Sequence, residues 1–276
     1  MSKAKLESVF RADLGKQVRL KASDAMNTHG WSVKSGKERT IKNIGVLEEL
    51  QYHLYADNSK SLLIVLQGID AAGKDGLIRK VFTAFNPQGT HVSSFKVPNS
   101  KELAHDYLWR VHAACPPRGS IGVFNRSHYE DLIVPMLNLS LKKHRFGQRI
   151  DQINNFEQML TQEGTRIVKF LLHISRDEQW GRLKERLDEL TRNWKFSMGD
   201  LAERKRWDHY NATYKKIIAS TSTEYAPWYV IPSNDKWFRN LAVSEIVRST
   251  LESMNLKWPK PSFDVNAARR NLNSLR

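Results

Sequence analysis

The stretch that decides the fold covers residues 62–82 and reads LLIVLQGIDAAGKDGLIRKVF. It begins with an uninterrupted run of β-favouring apolar residues, which is typical of a strand buried on both faces of a parallel sheet. A glycine-rich turn ends the run, and apolar residues at helical spacing follow from Leu77 onwards. The stretch therefore predicts a strand, a loop and a helix in that order.

The turn has the spacing Gly-x-x-x-x-Gly-Lys between Gly68 and Lys74, which is the spacing of a phosphate-binding loop. The N–H groups of such a loop and the positive end of the helix dipole converge on an oxyanion, and Lys74 adds a full charge. Position 75 is aspartate, where nucleotide-hydrolysing loops carry a hydroxyl for magnesium. Asp70, inside the loop, is therefore the predicted metal ligand. A tight turn with an incidental lysine remains an alternative, as does a solvated Asp75 favoured by the helix dipole.

The chain carries a large surplus of positive charge. Lysine and arginine number 44 against 29 acidic residues, which gives a net charge of +15. A surplus of this size repels itself in the compact state, and a polyanionic partner explains it better than a small neutral substrate does. Nucleic acid and inorganic polyphosphate both meet this electrostatic requirement.

The length of 276 residues suits one large α/β domain with extensions. Cys115 is the single cysteine, so no internal disulfide can form and a reducing compartment is expected. No apolar segment approaches the ~20 residues that span a bilayer, and residues 1–12 lack the apolar stretch of a signal peptide. We therefore expect a cytoplasmic protein without membrane contact.

Strand and helix patterns alternate along the rest of the chain. Further strands are predicted at 90–97, 121–124, 167–174 and 228–231, with helices between them that include 100–115 and 148–163. This alternation predicts an α/β fold, a doubly wound parallel five-stranded sheet flanked by helices. The predicted organisation has an extended or partly helical arm at 1–45, a phosphate-binding domain at 46–256 whose first helix starts near Ile44, and a polar tail at 257–276.

The third predicted strand ends in a polar segment, Asn125 to Asp131. In proteins with a phosphate-binding loop, the neighbouring strand usually ends in an acid that organises magnesium. Here Asn125 takes that place, and Glu130 follows in the first turn of the next helix. Arg126 is well placed for bidentate phosphate contact, because ligands of open α/β sheets bind at the carboxyl ends of the strands. His128 is read as a hydrogen bonder at the helix start rather than a proton donor.

A second basic cluster lies between Arg182 and Arg206 and encloses the segment Asn193-Trp194-Lys195-Phe196-Ser197. Two positively charged helices joined by an aromatic loop resemble the lid of a small-molecule phosphotransferase, which closes to exclude water. We place this helical lid at about 176–210. For any single lysine, a solvated helix face is the alternative.

Four blocks in this order, 68–76, 124–131, 193–197 and 224–232, resemble the polyphosphate kinase 2 family from about Leu47 to Leu251. The resemblance implies reversible phosphoryl transfer between inorganic polyphosphate and a purine nucleotide, with Mg²⁺ as the cofactor and Mn²⁺ as an alternative to it. It also implies a P-loop kinase-like fold similar to thymidylate kinase, and a homodimer or homotetramer. Asn125 together with Glu130 resembles the subgroup that accepts both nucleoside mono- and diphosphates.

The resulting hypothesis assigns three catalytic residues, Asp70, Lys74 and Arg126. The metal ligands would be Asp70, Asn125 and Glu130. The nucleotide-binding residues would be Asn125, Arg126, Glu130, Arg176 and Lys195. The polyphosphate-binding residues would be Gly68, Ala72, Gly73, Lys74, Asp75, Arg79, Lys80, Lys96 and Arg118.

Two other functions compete with this one. An ATP-dependent nucleotide kinase would use the same fold. A basic P-loop protein that binds nucleic acid would also explain the surplus charge, although the sequence shows no helix-turn-helix, finger or aromatic RNA-binding signature. Nucleic acid is therefore not the expected partner.

Overall fold

The computed structural model describes residues 6–140 and 142–276, and within these ranges five strands form one sheet. The strand order is β2-β3-β1-β4-β5, and every neighbouring pair is parallel. The strands are β1 (Ser61–Gln67), β2 (Thr90–Ser94), β3 (Ile121–Asn125), β4 (Thr165–His173) and β5 (Trp228–Pro232). The predicted parallel five-stranded sheet is thus confirmed.

The helices in the described ranges lie before, between and after the strands. They are α1 (Leu6–Phe10), α2 (Val33–Asp57), α3 (Lys74–Val81), α4 (Ser100–Leu103), α5 (Trp109–Ala113), α6 (Glu130–Leu137), α7 (Lys143–Gln162), α8 (Arg176–Asp188), α9 (Met198–Lys205), α10 (Trp207–Thr221), α11 (Lys236–Ser253) and α12 (Val265–Ser274). None of them is long and apolar enough to cross a bilayer.

Strand β1 lies at the centre of the sheet and contributes to a hydrophobic core on each face. Leu62, Ile64 and Leu66 pack with residues of α2, α3 and α11. Leu63 and Val65 pack with residues of α6, α7 and α10 on the opposite face. All seven residues of β1 are buried, which explains why residues 62–66 are continuously apolar rather than alternating.

The long helix α2 begins at Val33, earlier than the start predicted near Ile44. Ser32 caps it, because its hydroxyl accepts a hydrogen bond from the Ser35 amide at 3.2 Å. Gly36 then lies against the Trp237 ring, where a Cβ would be 2.4 Å from a ring atom. The helix therefore runs through the boundary that the sequence placed between residues 45 and 46.

The amino-terminal residues cover the edge of the sheet beside β5. Helix α1 buries Leu6 and Phe10, and Arg11 forms an antiparallel bridge with Tyr229. The Ala12 amide donates to Trp228 O at 2.8 Å. These contacts keep the outer edge of β5 from being an open pairing surface.

Three predicted elements differ in the structure. The helix expected over 100–115 is two short helices, α4 and α5, separated by a turn in which the Asp106 side chain accepts a hydrogen bond from the Leu108 amide at 2.9 Å. Strand β2 stops at Ser94, before the predicted Val97. The tail contains a helix, α12, that buries none of its residues.

Candidate active site

The loop between β1 and α3 is shaped by backbone conformations that favour glycine. Gly68 has φ 153° and Gly73 has φ 102°. A Cβ on Gly68 would lie 2.9 Å from the backbone oxygen of Leu172, so the loop approaches β4 too closely for a side chain. Helix α3 starts at Lys74, and its first amides are free of partners within the helix. The predicted strand, loop and helix are confirmed, and the loop has the geometry of an anion cradle.

The Lys74 side chain is buried inside this loop. Its Nζ donates to Gly68 O at 2.6 Å. Burial lowers the pKa of Lys74 to about 8, and the nearby Arg126 charge acts in the same direction. An anion bound in the loop would oppose both effects and stabilise the charged ammonium.

Arg126 lies between two carboxylates at the end of β3. Its guanidinium contacts Asp70 Oδ1 at 2.5 Å and Glu130 Oε2 at 3.4 Å. Burial works against the charge, but Asp70 and Glu130 outweigh it and raise the pKa of Arg126 above its ordinary value. Asp70, which follows β1, is thus brought together with Arg126 and Glu130, which follow β3.

Arg126 has an unusual backbone conformation. Its φ is 62°, in the left-handed region, and its amide donates to Leu66 O at 3.0 Å. Such a conformation in a non-glycine residue is costly and persists only where the surroundings enforce it. The bond to Leu66 ties this residue to the end of β1, directly before the phosphate loop.

Asn125 contacts a different acid. Its Nδ2 donates to Asp75 Oδ1 at 2.7 Å, which joins the end of β3 to the first turn of α3. The contact uses the amide nitrogen of Asn125 and not its amide oxygen. Although Asp75 is exposed, it is more than a solvated residue at the helix start, because its carboxylate holds the Asn125 side chain.

The fit of a magnesium ion depends on the two carboxylates beside Arg126. Mg²⁺ prefers hard oxygen ligands and is commonly held by one or two carboxylates together with water and substrate phosphates. Asp70 and Glu130 fit that description, since both side chains reach the same guanidinium. Among the described residues no cluster of three or more His, Cys, Asp and Glu side chains is arranged to hold a metal ion. The two carboxylates thus fit an ion whose remaining ligands are water and substrate phosphates.

Three side chains that sequence reasoning did not assign to the site hold the loop from outside. Arg182 donates to Ala71 O and Ala72 O, each at 2.9 Å. Arg239 donates to Gly73 O at 3.1 Å, and Gln179 Nε2 donates to Asp70 O at 3.1 Å. The sequence grouped Arg182 with the basic lid residues, but the structure buries it behind the phosphate loop.

The predicted lid begins with α8, directly after β4, and Ser175 caps this helix by accepting a hydrogen bond from the Glu178 amide at 3.2 Å. Arg176 is exposed there. Its backbone oxygen accepts a hydrogen bond from Arg204 at 2.6 Å, and Arg204 also reaches Gln179 at 3.1 Å. Helices α8 and α9 are therefore tied to each other and, through Gln179, to the loop.

The aromatic loop of the lid is held through its backbone. Arg186 donates to Lys195 O at 3.2 Å and to Asp200 Oδ2 at 3.0 Å. The Lys195 ammonium lies 5.0 Å from the centre of the Trp194 ring, which is 77% exposed. Burial raises the pKa of Asp200, and the Asp70 carboxylate raises it further, because Asp200 lies within electrostatic range of the phosphate loop. Sequence reasoning did not single out Asp200.

Arg79 and Lys80 are exposed in the last turn of α3, the helix that begins at the loop, and Lys96 is exposed just after the carboxyl end of β2. Arg118 does not join them. It precedes β3, where the Gly119 amide donates to Lys60 O at 2.7 Å, and its guanidinium lies 3.9 Å from Glu163. Since Lys60 precedes β1, Arg118 lies at the amino ends of the strands, and its predicted place beside the loop is wrong.

A buried polar cluster lies behind Arg126. Glu157 and Lys169 are fully buried, with Lys169 Nζ 2.5 Å from Glu157 Oε2. Glu157 Oε1 also contacts His128 Nε2 at 3.2 Å and the Tyr129 hydroxyl at 2.9 Å. His128 is thus a buried hydrogen bonder, in agreement with the interpretation favoured from sequence.

A parallel sheet with a lysine-bearing phosphate loop, and an arginine between two carboxylates at the next strand end, defines a P-loop phosphotransferase. The sequence matches the family model "Polyphosphate kinase 2 (PPK2)" over residues 30–259. The chain therefore belongs to the polyphosphate kinase 2 family, and the predicted family and enzyme class are confirmed.

Similar proteins agree with this assignment. An AMP/ADP-polyphosphate phosphotransferase from Meiothermus ruber is 47% identical over 91% of this chain and 95% of its own length. An ADP-polyphosphate phosphotransferase from Rhodopseudomonas palustris is 45% identical over 78% of each chain. The crystal structure of polyphosphate kinase 2 from Arthrobacter aurescens covers 99% of this chain and 98% of its own, with a TM-score of 0.94 and 39% identity.

Proposed function

We propose that this polyphosphate kinase transfers the terminal phosphoryl group of inorganic polyphosphate to ADP or GDP, and also to AMP or GMP, in a reversible reaction. The observation that carries this proposal is that Asp70, Arg126 and Glu130 meet beside the buried Lys74 at the carboxyl ends of the strands. The net charge of +15 supports a polyanionic donor. The names of similar proteins support both mono- and diphosphate acceptors.

The residues of the loop would bind the donor. Lys74 would leave Gly68 O and contact the terminal phosphate, whose negative charge restores the ammonium that burial disfavours. The free amides at the start of α3 would bind the same phosphate. Arg79, Lys80 and Lys96 would bind the polymer farther along its length.

The acceptor nucleotide would bind on the lid side. Arg126 is placed to contact its phosphates, with Arg176 and Lys195 contributing from the lid. Asp70 and Glu130 would hold Mg²⁺, with Asn125 assisting; Mn²⁺ is the alternative ion. The ion supplies charge neutralisation between donor and acceptor oxygens. Because the attacking phosphate oxygen is already anionic near neutral pH, Asp70 would orient it rather than remove a proton, and charge stabilisation would dominate the fall in the barrier.

The proposed reaction is tested by mixing the protein with ADP, magnesium and polyphosphate in the absence of ATP. ATP is the expected product, measured by chromatography. A parallel panel of AMP, GMP and GDP identifies the acceptors by the products formed. ADP made from AMP and ATP, without any product from polyphosphate, would instead assign the protein to the ATP-dependent nucleotide kinases. A gel shift with nucleic acid, in competition with polyphosphate, tests the remaining alternative.

Replacing Arg79 or Lys80 by alanine is expected to weaken binding of long-chain polyphosphate roughly two- to fivefold, the usual range for one exposed charge pair. The salt dependence of binding should also become shallower, because fewer exposed charges are screened. Binding is measured by titration calorimetry at two salt concentrations. Arg118→Ala is the matched control. It should change neither the affinity for polyphosphate nor its salt dependence, since Arg118 lies at the amino ends of the strands. A change in nucleotide affinity instead would reverse the assignment of donor and acceptor sites.

Assembly and location stay predictions. A homodimer or homotetramer is supported by the family resemblance and by the exposed apolar side chains of the tail, such as Leu272 and Leu275. A cytoplasmic location is supported by the single cysteine.

A further inference from the structure

Arg239 in α11 is a buried cation without an acidic partner. Its side chain is held by Gly73 O at 3.1 Å and by Asn240 Oδ1, which accepts from Nε at 3.1 Å and from Nη2 at 2.8 Å. The residue is 3% exposed. Among residues 6–140 and 142–276 no carboxylate forms an ion pair with it. A buried charge of this kind is costly for folding unless something compensates for it.

The charge that lies nearest to Arg239 makes this cost larger. Arg182, 7% exposed, approaches the same side of the loop, and burial together with Arg182 lowers the pKa of Arg239 to about 10. Glu178 pairs with Arg182 at 2.7 Å, which leaves one acid for two guanidiniums. The pair therefore creates a region of positive potential directly behind the phosphate loop.

The two arginines bind the carbonyl side of the loop. Arg182 reaches Ala72 O, and Arg239 reaches Gly73 O, which also accepts the first hydrogen bond of α3 from the Leu77 amide at 3.0 Å. In a trans peptide the N–H points away from the carbonyl, so the amides of Gly73 and Lys74 are directed to the opposite side of the chain, into the cradle. The contact is tight, since a Cβ on Gly73 would lie 2.2 Å from Arg239 Nη1.

We propose that Arg239 is a positioning residue for the polyphosphate donor: together with the Leu77 amide it holds the peptide between Gly73 and Lys74 in place, and its missing counter-charge is supplied by the phosphate chain bound in the loop. The inference rests on the proposed function and adds a residue to its donor site. It requires no direct contact between Arg239 and phosphate, because both effects act through the loop peptide and through the electrostatic field.

The test compares Arg239→Met and Arg239→Lys with the unchanged protein. Tripolyphosphate affinity is measured by titration calorimetry, and the melting temperature is measured without ligand. The methionine variant is expected to bind tripolyphosphate about tenfold more weakly, which is the scale of one charged hydrogen bond. Its ligand-free melting temperature should be unchanged or higher, because an uncompensated buried charge has been removed. The lysine variant keeps the charge and should recover most of the affinity.

Arg248→Met is the matched control. Arg248 lies on the same helix but pairs with Glu252 at 2.8 Å, so its loss should leave affinity unchanged. An affinity within twofold of normal for Arg239→Met overturns the proposal. A lowered melting temperature in the same variant also overturns it, since that result assigns Arg239 to folding alone. If the unchanged protein does not bind tripolyphosphate, the proposed function fails instead, and the two failures are thereby distinguished.

Discussion

Replacing Asp70 by asparagine is expected to lower the rate of ATP formation from ADP and polyphosphate by about 100-fold or more, since one group that organises transition-state charge is worth ~3 kcal/mol. Asp70 contacts Arg126 at 2.5 Å, and Gln179 holds its backbone oxygen, so the neutral variant should keep the shape of the loop. Turnover is measured with saturating substrates, and folding is checked by circular dichroism and the melting temperature.

Asp75→Asn is the control for this experiment. Asp75 lies in the same segment of chain but contacts Asn125 rather than Arg126, and an amide oxygen can still accept that hydrogen bond. We expect this variant to lose far less activity than Asp70→Asn. Near-normal ATP formation by Asp70→Asn would remove Asp70 from the mechanism.

The parts of the fold that could be predicted are those with a local cause. The buried run from Leu62 to Leu66 could only be a strand covered on both faces, and the two glycines of the loop need conformations that other residues avoid. The meeting of Asp70 with Arg126 also followed from a general rule, because parallel strands bring their carboxyl ends to one edge of the sheet.

The parts that could not be predicted depend on packing between distant segments. Arg239 reads as a polar position on an amphipathic helix, and nothing local shows that it meets Gly73, 166 positions earlier. Arg118 was misplaced for a different reason. Its charge suits a phosphate-binding surface, but it directly precedes the strand predicted from residue 121, so the rule for parallel strands already places it at their amino ends, where the structure has it next to Lys60. Charge alone does not indicate at which end of a strand a residue lies.

The buried pair of Glu157 and Lys169 was also beyond sequence reasoning, since Lys169 lies between the apolar residues Val168 and Phe170 of β4. The pair is tied to the segment after Arg126, because Glu157 contacts His128 and Tyr129. Lys169 Nζ also donates to Thr221 O at 2.7 Å. Strand β4, helix α10 and the chain that follows Arg126 are therefore joined at one point. We expect this cluster to enforce the left-handed backbone of Arg126.

Replacing Lys169 by methionine is expected to lower the free energy of unfolding by about 3–5 kcal/mol, because Glu157 would be left as an uncompensated buried charge. For a chain of this size the melting temperature should fall by roughly 10 °C. Although burial opposes it, Lys169 and the hydrogen bonds of the cluster now hold the pKa of Glu157 below its ordinary value. Without Lys169, burial would raise that pKa above its value in the unfolded chain, so the variant should gain stability as the pH falls.

The double variant Lys169→Met with Glu157→Gln separates charge from packing. It removes both charges while keeping a side chain of similar size at position 157, so it should recover part of the lost stability and should lose the acid-dependent gain. Both variants are followed by thermal unfolding between pH 5 and pH 8, a range that lies above the ordinary carboxyl pKa of about 4.3 and therefore covers a raised one. If Lys169→Met alone melts within about 2 °C of the unchanged protein, the pair does not hold this part of the fold together. A shift of that size corresponds to about 1 kcal/mol or less.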